Sequence, residues 1–178
     1  MRRFVLAALT LAMAPLLTTS SAAQEVSRPP EIFQKLVGNW DGDAWFQVGP
    51  GNRQQLRQRE WLEPVAGGTV IAIKGLGTRT TGEGVGETVH DAFAVVHVGH
   101  DGKTPLMRAF TGQGHWMDID LTVRSDGFSW ALSDPRAGLL RYDMHLDGQG
   151  RWVEAGFRSG DNGKTWTKFM EMTLTRTK

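Results

Sequence analysis

Tight-turn chemistry recurs about every ten residues from Pro50 to Gly163, and that spacing leaves few folds open. His100-Asp101-Gly102-Lys103, Ser125-Asp126-Gly127, Asp147-Gly148-Gln149-Gly150 and Gly160-Asp161-Asn162-Gly163 all have hairpin composition. Asp, Asn and Gly tolerate the positive φ angles that short hairpins demand. Pro50-Gly51-Asn52 and Ala66-Gly67-Gly68 mark two further breaks, and Thr81 to Gly86 reads as a looser loop. The apolar runs between are short and alternate with polar residues, which is strand rather than helix patterning. Only Glu31 to Val37 reads as a helical turn, with Phe33, Leu36 and Val37 on its apolar side. About ten strands remain, near 39–48, 53–63, 69–78, 87–98, 104–111, 116–124, 128–133, 139–146, 151–158 and 165–175. The chain is therefore expected to be all-β: a single antiparallel up-and-down barrel of about ten strands with a short N-terminal helical turn. Closing the meander removes the exposed edges that an open sheet would carry.

Period-two alternation assigns the faces. Trp40, Gly42, Ala44, Phe46 and Val48 share one side of the first strand. Phe128, Trp130 and Leu132, then Leu140, Tyr142, Met144 and Leu146, form the apolar faces of two later strands. Met170, Met172 and Leu174 do the same in the last strand. Met107, Met144, Met170 and Met172 give the interior a soft lining, suited either to core filling or to an irregular apolar ligand.

Residues 1–23 have the pattern of a cleaved signal peptide: basic Arg2 and Arg3, an apolar run from Phe4 to Leu17, and small residues ending Ser21-Ala22-Ala23. That run falls short of the roughly 20 residues needed to span a bilayer, so no membrane span is expected. A periplasmic or secreted location follows as the expectation. Residues 24–30 read as an extended tether, and residues 31–178 as the barrel domain. The formal net charge is +1, and it is close to neutral once Arg2 and Arg3 are removed. Such a balance disfavours a nucleic-acid partner. With no cysteine, disulfides, thiolate metal sites and cysteine nucleophiles are excluded.

Catalytic motifs are sparse. There is no G-x-S-x-G elbow, no phosphate-cradling loop before a helix, and no H-E-x-x-H. His90, His97 and His100 lie close in sequence, but the first two have opposite parity and the third sits in a turn. His115, in a glycine-flanked loop, and His145, beside Arg141 and Asp143, are the candidates for a general base or haem ligand. Asp118 with Asp120, and Arg53, Arg57 and Arg59, read as solvated strand faces. Ser159-Gly160-Asp161-Asn162-Gly163-Lys164-Thr165-Trp166 matches the Asp-box of secreted β proteins, a turn-plus-aromatic device.

Gly38-x-Trp40 after a helical turn, the run of antiparallel strands, and Arg176 on the last strand together resemble the calycin superfamily. That group includes lipocalins, fatty-acid-binding proteins and nitrobindin-like barrels. The string Phe33, Leu36, Gly38, Trp40, Gly42, with the Asp161-to-Trp166 hairpin, is most similar to a bacterial lipocalin-like family of exported proteins. The resemblance implies that Arg176 packs over Trp40 at the barrel base. It carries fold more than activity. No histidine follows His145 to match the haem ligand of nitrobindin-like barrels. The expected function is binding of a small hydrophobic or amphipathic ligand, with no cofactor and no catalysis. The candidate lining residues are Phe46, Phe93, Phe110, Trp130, Tyr142, Met144 and Met170. The alternatives are an enzyme or haem-type site at the barrel mouth using His115 or His145, and a filled structural barrel.

Overall fold

The computed structural model describes residues 26–81, 84–135 and 137–178. The proposed signal peptide lies outside them. A six-residue helix, α1 (Glu31–Leu36), precedes eleven antiparallel strands. These are β1 (Gly38–Gly49), β2 (Asn52–Val65), β3 (Val70–Thr81), β4 (Gly84–Val98), β5 (Pro105–Thr111), β6 (Trp116–Asp120), β7 (Thr122–Val123), β8 (Gly127–Asp134), β9 (Gly138–Leu146), β10 (Trp152–Ser159) and β11 (Thr167–Thr177). They form one sheet in the order β6-β5-β4-β3-β2-β1-β11-β10-β9-β8-β7. The sheet curls into a nearly closed barrel.

Two features depart from the turn-based reading. The expected loop at Thr81 to Gly86 is mostly strand, because β3 and β4 continue pairing out to Thr81 opposite Gly84. The expected single strand at 116–124 is two. β6 pairs with β5 through Trp116 to Asp120. After a break at Leu121, β7 pairs instead with β8 through Thr122 and Val123. One stretch of chain thus passes from one end of the sheet to the other. It closes the barrel there and leaves a seam above, between β6 and the upper half of β8.

The base is tied together by contacts between the helix end and the first and last strands. Trp40 and Arg176 are direct partners across β1 and β11, and the guanidinium carbon lies 4.3 Å from the indole centroid. Trp40 Nε1 donates to Leu36 O at 2.8 Å, and Arg176 donates to the carbonyls of Lys35 and Val37. Helix-end carbonyls lack intrahelical donors, and here the first and last strands supply them. A Cβ on Gly38 would fall 2.6 Å from the Arg176 guanidinium, in a backbone already at φ +128°. Ile32, Phe33 and Leu36 are buried beneath the strands, with Phe33 against Phe128 at 4.6 Å. Arg28, ahead of the helix, reaches the same end, where its Nη1 donates to Gly67 O at 2.9 Å.

Candidate functional site

The base is packed solid, but the barrel above it is not. A cavity of about 300 Å³ occupies the interior above Trp40. Its walls are apolar: Ile73, Ala94, Met107, Ala109, Met117 and Met172 are among them. Phe128, Trp130 and Tyr142 form an aromatic stack along one wall, at centroid separations of 5.6 and 4.9 Å. Phe46 and His90 line both this cavity and a second recess of about 400 Å³ toward the β1–β2 tip. The cavity therefore runs from the open end of the barrel down to Trp152 and Glu60, which adjoin Trp40 through an edge-on ring contact at 5.8 Å and through strand register.

Alternation within β2 explains the polar part of the lining. Arg57 and Arg59 face outward, where Arg57 meets Asp41 and Asp43. The residues between them must then face inward, and Leu56, Gln58, Glu60 and Leu62 are all buried. In β10 the same rule turns Trp152, Glu154 and Gly156 inward. The facing strand β3 makes room with glycine. A Cβ on Gly75 would lie 2.8 Å from Glu60 Oε1, and one on Gly77 would lie 2.5 Å from Gln58 Oε1.

Glu60 and Glu154 line the cavity at 6% and 7% exposure. Each has one neutral donor: Gln58 Nε2 to Glu60 Oε1 at 2.7 Å, and Trp152 Nε1 to Glu154 Oε2 at 3.1 Å. Burial pushes Glu60 up to about 8, opposed by the Gln58 hydrogen bond and reinforced by the charge of Glu154. Burial likewise pushes Glu154 up to about 7, against the Trp152 bond. Tyr142 is pushed up to about 12, chiefly by burial. His90 is shifted downward, again chiefly by burial. Thr111 Oγ1, on the same lining, is buried without a hydrogen-bond partner.

Of the residues singled out from sequence, Phe46, Phe110, Trp130, Tyr142 and Met170 line the cavity. Phe110 does so from its rim, 38% exposed. Two stand elsewhere. Phe93 is 44% exposed on the outer face, beside Phe110 at 6.3 Å, because its neighbours Ala92 and Ala94 take the inner positions. Met144 faces inward but is wholly buried in the core and is not part of the cavity lining. His115 is exposed in the β5–β6 turn, and His145 lies at the lower end of β9, opposite Val153. Neither touches the cavity; the histidine that does is His90. Among the described residues, no three His, Cys, Asp or Glu side chains are grouped so as to hold a metal ion. No described helix is long and apolar enough to cross a membrane.

No protein-family model matches the chain, and no curated protein matches it by sequence. Solved structures do match. One is the crystal structure of Rv2717c from M. tuberculosis, with a TM-score of 0.60 at 12% identity. That alignment covers 84% of this chain and 99% of the other. At such identity the likeness is one of fold.

Proposed function

We propose that this protein is an exported, calycin-like binding protein that holds a small hydrophobic or amphipathic molecule inside its barrel. The observation that carries this reading is the cavity itself: about 300 Å³, apolar over most of its lining, with a few polar groups among the apolar ones. Ligand pockets characteristically combine those two properties. Affinity would come from burial of apolar surface at about 25 cal/mol per Å², and orientation from the polar groups. The helical turn, Gly38-x-Trp40, and the Trp40–Arg176 stack support the calycin-like part of the reading. The N-terminal pattern of residues 1–23 supports export.

The test is native mass spectrometry of protein purified from the exported fraction, followed by titration of the stripped protein with octanol. A bound small molecule, or saturable quenching of tryptophan fluorescence by octanol, is expected. Ala109→Phe should fill the cavity, abolish that binding and leave the fold intact by circular dichroism. A protein that carries no added mass and shows no saturable octanol binding is a filled barrel, and the reading fails.

A further inference from the structure

The cavity's polar groups are unbalanced in a chemically specific way. Both donors nearest the carboxyls, Gln58 Nε2 and Trp152 Nε1, are already used. The acceptors are not used up. Thr111 Oγ1 is buried and unpartnered. Gln58 is only 3% exposed, and among the described residues its amide oxygen has no hydrogen-bond donor. Glu60 Oε2 and Glu154 Oε1 likewise have none. No lysine or arginine lines the cavity, and no cation reaches either carboxyl among the described ion pairs. Isolated buried carboxyls are costly unless paired or protonated.

We infer that the ligand class is an organic ammonium ion, an amine carried on an apolar body, held by Glu60 and Glu154 with the Gln58 amide oxygen as a third acceptor. This rests on the binding reading above and specifies it. A primary ammonium has three donors and no acceptor, the complement of this lining. Its arrival would convert a neutral carboxyl to a carboxylate and release a proton to solvent. The other titratable lining groups do not supply competing positive charge. His90 is held toward its neutral form by burial, and Tyr142 remains a phenol.

The experiment compares three probes of equal chain length by isothermal titration calorimetry: octylamine, octanol and octanoate. Octylamine should bind about tenfold or more tighter than octanol near neutral pH, and octanoate more weakly than either. Proton release should make the octylamine enthalpy depend on the ionisation heat of the buffer, and the octanol enthalpy independent of it. Octylamine affinity should fall as the pH is lowered from about 8.5 to about 6, where the carboxyls retain their protons, while an alkylammonium stays charged to about pH 10. Glu60→Gln and Glu154→Gln should each lower octylamine affinity about tenfold more than octanol affinity. The wild-type comparison stands even where a variant fails to fold. Octanol binding as tightly as octylamine overturns the ammonium inference while leaving apolar binding intact. Failure of all three probes overturns both.

Discussion

At the scale of single residues, Glu60 makes the sharpest demand on stability. Its carboxyl is ordinary when unfolded, near 4.3, and is raised to about 8 when folded. Folding therefore takes up a proton. The stability contributed is complete below about pH 4.5 and is lost as the pH rises through about 8. Glu60→Gln removes the group that must ionise. The variant should gain about 1–3 kcal/mol over the parent near pH 9 and much less near pH 5, read as thermal midpoints at the two pH values. Arg176 makes the opposite kind of contribution. Arg176→Met removes a cation from the Trp40 face and, at once, the N–H donors to the carbonyl oxygens of Lys35 and Val37. A loss of about 1–3 kcal/mol is expected by chemical denaturation.

Much of this was legible in the chain. The Trp40–Arg176 contact follows from strand parity and the family-like start motif. The inward glutamates did not stand out, although the signal was there: outward Arg57 and Arg59 force Gln58 and Glu60 inside. A carboxyl in a barrel looks like surface until its neighbours are assigned. Phe93 was misplaced for the converse reason. Ala92-Phe93-Ala94-Val95-Val96 has no polar residue to mark the outer face, so size pointed the wrong way.

At the scale of elements, the hairpin between β10 and β11 is the best-specified local unit. Asp161 Oδ1 accepts from Thr165 N at 2.9 Å and Ser159 Oγ at 2.7 Å, while its Oδ2 accepts from Thr165 Oγ1 at 2.7 Å. These bonds hold the carboxyl down to about 2. Asn162 and Gly163 take the positive φ angles, and Arg141 stacks on Trp166 at 4.7 Å. Asp161→Ala should speed amide exchange at Gly163 and Thr165 with little effect on β2 or β3, as read by hydrogen exchange. The structural reading of this motif was available from composition alone, because its chemistry is local. The break at Leu121 was not. Nothing in the 116–124 run marks it, since the change of partner is a property of barrel closure and belongs to strands remote in sequence.

At the scale of the whole molecule, the seam and the cavity coincide. Met117 and Ile119 on β6, and Phe128, Trp130 and Leu132 on β8, line the cavity from the two sides of the seam. β6 has a backbone ladder on one side only, with β5, whereas β10 is paired on both. Amides of Met117 to Asp120 should therefore exchange faster than those of Val153 to Phe157, and a bound ligand should slow them. Measuring both rates with and without octanol checks the seam as the way in.

The position of that seam also sets an order of assembly. The sheet's two free ends are built from the middle of the chain, while its central ladder joins β1 to β11, with Asn39 opposite Thr177. Hairpins can form as the chain appears, because their partners are adjacent. The ladder that carries Arg176 to Trp40 must close a loop of nearly the whole domain, the slowest kind of contact to make. Until residues 167–177 arrive, β1 is an open edge and the helix-end carbonyls lack the donors of Arg176. The internal cavity thus comes into being in one late step, and a chain interrupted before its final strand would be a sheet without a container.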